Sequence, residues 1–80
     1  MPNLSAERQS PELLALGDAI KARRKSCGIS QARMAEAAGI DRSYYGRIER
    51  GDNNGAVLML HRIAIALDMT LADLIKAAGL

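Results

Sequence analysis

Eighty residues with a formal charge of +2 suffice for one small domain and leave too little chain to enclose a substrate. Hydrophobic residues make up 49% of the chain, yet it has no Phe or Trp and only two Tyr. That apolar content is largely Ala, Leu, Ile and Met; Ala and Leu are strong helix formers whereas β-branched and aromatic residues favour strands, so an all-α bundle is predicted.

Residues 1–9 are polar and aperiodic and read as a mobile arm, leaving 10–80 as a single domain. Ser10-Pro11-Glu12 is a helix start: Ser caps, Pro fits the first turn, and Glu faces the positive end of the dipole. The first helix runs to about Ser26, with Leu13, Leu16, Ile20 and the stems of Arg23 and Arg24 at helical spacing. Cys27-Gly28 ends it. Ser30 caps a second helix, about Gln31 to Ala38, whose inward stripe is Met34, Ala35 and Ala38. Gly39 ends that helix, Ile40 plugs the turn, and Asp41 caps a third helix, about Arg42 to Arg50. Gly51 to Gly55 is a loop of turn-forming residues. A fourth helix, about Ala56 to Leu67, is expected to bury Val57, Leu60, Ile63, Ala64 and Leu67. Thr70-Leu-Ala-Asp73 has the form of a capping box and opens a fifth helix that reaches about Ala78.

Charge is unevenly distributed along these elements. Residues 21–50 carry Lys21, Arg23, Arg24, Lys25, Arg33, Arg42, Arg47 and Arg50 against Glu36, Asp41 and Glu49, while both flanking segments are net acidic. A basic patch of this kind steers a protein to phosphate, although a merely solvated charged face is the plainer alternative. The patch coincides with two short helices joined by a tight turn, the arrangement that lays a helix into the major groove of DNA. No nucleophile–base pair, metal-ligand cluster or glycine-rich phosphate loop accompanies it, so neither an enzyme nor a cofactor is expected. The lone Cys27 allows no internal disulfide, and no apolar run approaches the roughly 20 residues of a membrane span. With no signal-peptide pattern at the start, a cytoplasmic protein without a membrane partner is expected.

Ile29-Ser30-Gln31, Met34-Ala35, Gly39-Ile40 and Ile48-Glu49-Arg50-Gly51, followed by Leu60, Ile63-Ala64 and Ala66-Leu67, resemble the lambda-repressor-like, or Xre-type, helix-turn-helix family of bacterial and phage regulators. The match covers about residues 13–77. Ile40-Asp-Arg-Ser-Tyr-Tyr and Ile48-Glu-Arg-Gly are most similar to the controller proteins of restriction–modification systems. One departure is Gly55, near which many relatives have Pro just before the fourth helix.

The resemblance implies a compact five-helix fold and double-stranded DNA as the partner. It places base contacts at Arg42, Ser43 and Arg47, where arginine can donate two hydrogen bonds to guanine. Phosphate contact and simple solvation remain open for the two arginines, and base or phosphate contact for Ser43. Tyr44 belongs at the groove edge or, alternatively, half-buried on the second helix. Gly46 either admits close approach of the helix backbone to DNA or is a tolerated substitution. In the family a glutamine at Gln31 bonds phosphate and braces the recognition helix. Arg33, Arg50, Asn53 and Asn54 are further candidate phosphate contacts. Arg24 and Glu49 occupy positions that pair in many relatives. Tyr45 and Ile48, three apart, are expected to pack on the core with Ile40.

A second apolar stripe, Leu58, Ile65 and Met69 with Arg62 between and Met59 beside it, suggests a homodimer. Such a dimer would match a palindromic operator, and the resemblance implies an autoregulatory protein with a possible RNA polymerase contact. His61 is expected on the surface or at that interface. The rival reading is an antitoxin that neutralises a toxin through the fourth and fifth helices and also binds its own promoter.

Overall fold

Side-chain caps set where most of these helices begin. The computed structural model describes residues 8–80, which form α1 (Pro11–Ser26), α2 (Gln31–Ala38), α3 (Arg42–Glu49), α4 (Val57–Ala66) and α5 (Leu71–Ala77), with no strand among the described residues. Ser10 Oγ accepts the Leu13 N–H at 3.3 Å, Ser30 Oγ accepts that of Arg33 at 3.2 Å, and Asp41 accepts that of Tyr44 at 3.1 Å. Thr70 and Asp73 complete a reciprocal capping box at 2.9 and 3.3 Å. Each bond satisfies a backbone donor that the helix cannot, an exchange worth about 1 kcal/mol. Only α4 starts without a side-chain cap.

The helices stop in a common manner. At Gly39, φ +71°, the N–H bonds to Glu36 and the next N–H, that of Ile40, reaches back to the Ala35 carbonyl at 3.0 Å. At Gly51, φ +79°, the same double bond runs to Ile48 and, from Asp52, to Arg47 at 2.8 Å. The left-handed residue turns the chain sharply, so α2 and α3 meet across a turn of three residues.

The core lies where all five helices converge. Ile20, Met34, Tyr45, Ile48, Ile63, Leu67 and Leu74 are fully buried, with Leu16, Ala35, Ala38, Leu60 and Ala64 beside them. Each large side chain taken out of water contributes about 1.5–3 kcal/mol. Packing pairs α2 with α4, α1 with α3, α2 with α3, α4 with α5, and α1 with α5. The first and third helices touch through backbone at Gly17, where a Cβ would lie 2.3 Å from the Glu49 carbonyl oxygen.

Several sequence expectations need correction. Val57 is 71% exposed rather than buried. It is the first residue of α4, and the inward face begins one turn later at Leu60. Helices α3, α4 and α5 each end one residue earlier than expected, because Arg50, Leu67 and Ala78 serve as caps. Met69 does not stand clear with Leu58 and Ile65; it is half-buried against the core, while those two are 54% and 58% exposed. Most of the expected arm, residues 1–7, lies outside the described residues. Gln9, at its end, is hydrogen-bonded to the loop after α3.

Candidate nucleic-acid interface

The sequence of α3 divides by helical spacing into an inward and an outward face, and the inward face fixes the outward one. Tyr45 and Ile48 are buried, as their spacing requires. Between them and the helix end stands Glu49, whose carboxylate joins three helices. Arg24 of α1 donates from Nε to Oε2 at 2.6 Å and from Nη2 to Oε1 at 3.1 Å. Gln31 of α2 donates to Oε1 at 2.9 Å, and the Tyr45 hydroxyl donates to Oε2 at 2.5 Å. Arg24 also donates to the Ile29 carbonyl at 2.8 Å, tying in the turn before α2.

A buried carboxylate is tolerated only when its lone pairs are filled, and here four donors fill them. Burial alone pushes the Glu49 carboxyl up. Hydrogen bonds from Arg24, Tyr45 and Gln31 outweigh that and hold it below the usual carboxylate range. The bond to Glu49 raises the Arg24 guanidinium above its ordinary value despite desolvation. Burial, then the bond to Glu49, pushes the Tyr45 phenol well up, so it stays a donor.

Held from behind in this way, α3 and its cap present Arg42, Ser43, Gly46, Arg47 and Arg50, which line one open cleft with Gln31. Arg42 and Ser43 are exposed, and Arg47 is half-buried with its Nε enclosed and without a hydrogen-bond partner. The cleft has a rim of guanidinium donors, chemistry suited to phosphate oxygens or guanine edges.

The remaining expected contacts are distributed differently. Arg33 lines a separate depression with Gly28, Ile29, Ser30 and Ala37. Asn53 is half-buried and its Oδ1 accepts the Gly55 N–H at 2.8 Å, while Asn54 is exposed. Tyr44 is half-buried against the core, and its hydroxyl accepts the Ala56 N–H at 3.0 Å, anchoring the chain just before α4. The Gln31 amide spends one N–H on Glu49, which braces α3, and the residue also lines the cleft.

Further contacts outside the cleft had no counterpart among the sequence expectations. Arg23, exposed on α1, donates to the Leu67 carbonyl at 3.2 Å and ties α1 to the end of α4. Gly17, at mid-helix, marks the α1–α3 backbone contact; a glycine costing about 1 kcal/mol in helix propensity was its one legible signal.

Leu58 and Ile65 stand on the exposed face of α4, with Arg62 and Ile65 lining a shallow groove beside His61, Gly39 and Ala37. Cys27 is an exposed free thiol. No helix among the described residues is long and apolar enough to cross a membrane.

Known proteins share this fold. Residues 20–74 match the helix-turn-helix family. Control protein C.MunI from Mycoplasma sp is 35% identical over 54 residues, spanning 68% of this chain and 73% of that protein. The crystal structure of the restriction–modification controller protein C.AhdI from Aeromonas hydrophila superimposes with a TM-score of 0.75 at 35% identity, covering 78% of this chain and 94% of that one. The controller protein C.Esp1396I, solved as a tetramer in complex with its natural 35 base-pair operator, gives a TM-score of 0.75 at 28% identity over 90% and 100% of the two chains. By sequence and by fold, this chain belongs to the Xre-type helix-turn-helix family and is similar to restriction–modification controller proteins.

Proposed function

We propose that this protein is a sequence-specific DNA-binding transcription regulator of the controller kind, acting in the cytoplasm as a homodimer on a palindromic operator and regulating its own gene. The observation that carries the reading is the convergence of Arg42, Ser43, Gly46, Arg47 and Arg50 with Gln31 on one cleft of a helix braced by Glu49. A helix of this size enters the major groove, which is about 12 Å wide. In that pose Arg42 and Arg47 read base edges, Ser43 bonds a base or phosphate, and Arg33, Asn53 and Asn54 approach the flanking backbone. The task is binding, with no catalytic step. The operator complex of C.Esp1396I supports the same partner for this relative.

Pairing through Leu58, Met59, Arg62 and Ile65 supplies the second reader. A two-fold axis there spaces the recognition helices about one turn of DNA, roughly 34 Å, and makes the site palindromic. Bound beside a promoter, the dimer is also placed to touch RNA polymerase. Selection of bound duplexes from a random pool tests the reading directly. Recovered sites should carry an inverted repeat, and Arg47→Ala should relax one position of each half-site at a cost of about 1–3 kcal/mol. A pool that shows no enrichment overturns it. Sedimentation of a Leu58→Glu, Ile65→Glu variant tests the dimer, which an unchanged mass would rule out.

A further inference from the structure

A second arginine–carboxylate pair lies at the exposed end of α3. The reversal at Gly51 brings Asp52 beside Arg50, and Arg50 Nε donates to Asp52 Oδ2 at 3.3 Å. Gln9 closes the arrangement from another part of the chain. Its side-chain amide donates to Asp52 Oδ1 at 2.6 Å and to the Arg50 carbonyl at 2.8 Å, and its backbone N–H donates to the Gly51 carbonyl at 2.6 Å. Gln9 adopts φ +65° in doing so, a conformation uncommon for a residue with a side chain. Three bonds to one short loop offset that strain.

The tether sets where the guanidinium lies. A Cβ at position 46 would stand 3.1 Å from Arg50 Nη1, so Arg50 runs back over Gly46, and that glycine is buried although it lies on the outward face. With Nε committed to Asp52, Nη1 and Nη2 remain as an end-on pair of donors in the cleft that Gln31 and Arg42 share.

We propose that Asp52, latched by Gln9, is a positioning residue that holds Arg50 across Gly46 so that its terminal amines meet a DNA phosphate. The inference rests on the DNA-binding reading and adds to it a reason for Gly46 and a role for Gln9. A long arginine loses rotamer freedom when it binds, and a side chain already held in place loses less. Asp52 works against itself in one respect: its negative charge repels the DNA backbone. The hydrogen bond from Gln9, then that from Arg50, holds its carboxyl below the usual range, so it remains charged at neutral pH. Charge and positioning therefore predict opposite signs for its removal.

The experiment measures affinity for a duplex recovered by selection and for an unrelated duplex of equal length, across a salt series. Asp52→Asn makes the protein more positive, yet it should weaken binding to the selected duplex about 3- to 10-fold, because Arg50 is released. Arg50→Ala should weaken binding to both duplexes and lower the salt slope by about one. In the Arg50→Ala background, Asp52→Asn and Gly46→Ala should have no further effect, since both act through Arg50. Gly46→Ala favours the helix, so its melting temperature separates lost affinity from lost folding. Equal or tighter binding by Asp52→Asn overturns the inference, as does a loss that persists without Arg50. If the unaltered protein binds no duplex, the DNA-binding reading falls and takes the inference with it. If it binds and Asp52→Asn binds as well, the inference alone falls.

Discussion

Arg24–Glu49 and Arg50–Asp52 bracket the C-terminal end of α3 with the same pair of charges in opposite surroundings. The side chains of the first pair are 9% and 1% exposed, those of the second 58% and 18%. In the buried pair both carboxylate oxygens are saturated by protein donors from three helices, because no water can supply what is missing. In the exposed pair the carboxylate takes bonds from Arg50 and Gln9, and solvent screens the attraction. The lesson is a division of labour set by burial: the first pair fixes where the recognition helix sits, and the second fixes where one of its side chains points.

Truncating each carboxylate breaks the comparison most directly. Glu49→Ala should cost about 3–5 kcal/mol in urea unfolding, because it leaves the Arg24 charge and the Tyr45 hydroxyl buried without partners. Asp52→Ala should leave the unfolding midpoint close to that of the parent. Equal losses would abolish the distinction. Acid unfolding has the same origin. The Glu49 carboxyl is held below its unfolded value, so its contribution is fully present above that value and is lost as pH falls through the folded one. In a Glu49→Gln variant the acid limb of stability against pH should therefore be shallower.

The spacing of α1 from α3 allows Arg24 to reach Glu49, and Gly17 sets that spacing. Gly17→Ala places a methyl against the Glu49 carbonyl, a backbone atom that cannot swing aside. A loss of about 1–3 kcal/mol by thermal or urea unfolding is expected, against the small gain that alanine gives in an unconstrained helix. A stabilised variant would mean that the two helices can separate without disturbing the ion pair.

Much of this was legible in the chain, for local reasons. Ser10, Ser30, Asp41 and Thr70 cap helices through bonds that span three residues, so their chemistry is readable wherever they stand. Tyr45 and Ile48 followed from helical spacing, and Arg24–Glu49 from the family resemblance. What escaped involves groups far apart in sequence whose meeting depends on the completed fold. Gln9 reaches Asp52 over 43 positions and Arg23 reaches Leu67 over 44. Tyr44 was readable as amphipathic, but its bond to Ala56 depends on the path of the loop. Val57 failed because periodicity assigns a face within a helix and loses force at its first residue.

Gln31 stands between the two pairs and gives the smallest effect that still sharpens the comparison. Its amide belongs to the Glu49 knot, yet the residue also lines the outward cleft. Gln31→Ala removes one donor of four from Glu49 while Arg24 and Tyr45 keep the carboxylate in place. Stability should fall by only about 1 kcal/mol, the scale of a single partly exposed hydrogen bond. Affinity should fall by a similar factor for selected and unrelated duplexes, since a braced helix end bears on backbone position rather than on base choice. A stability loss as large as that of Glu49→Ala would make Gln31 a central member of the buried knot. A selective loss on the recovered sequence would make it a reader instead. The predicted pattern of a small, uniform loss is what a residue does when it transmits the rigidity of the buried pair to the surface on which the exposed pair acts.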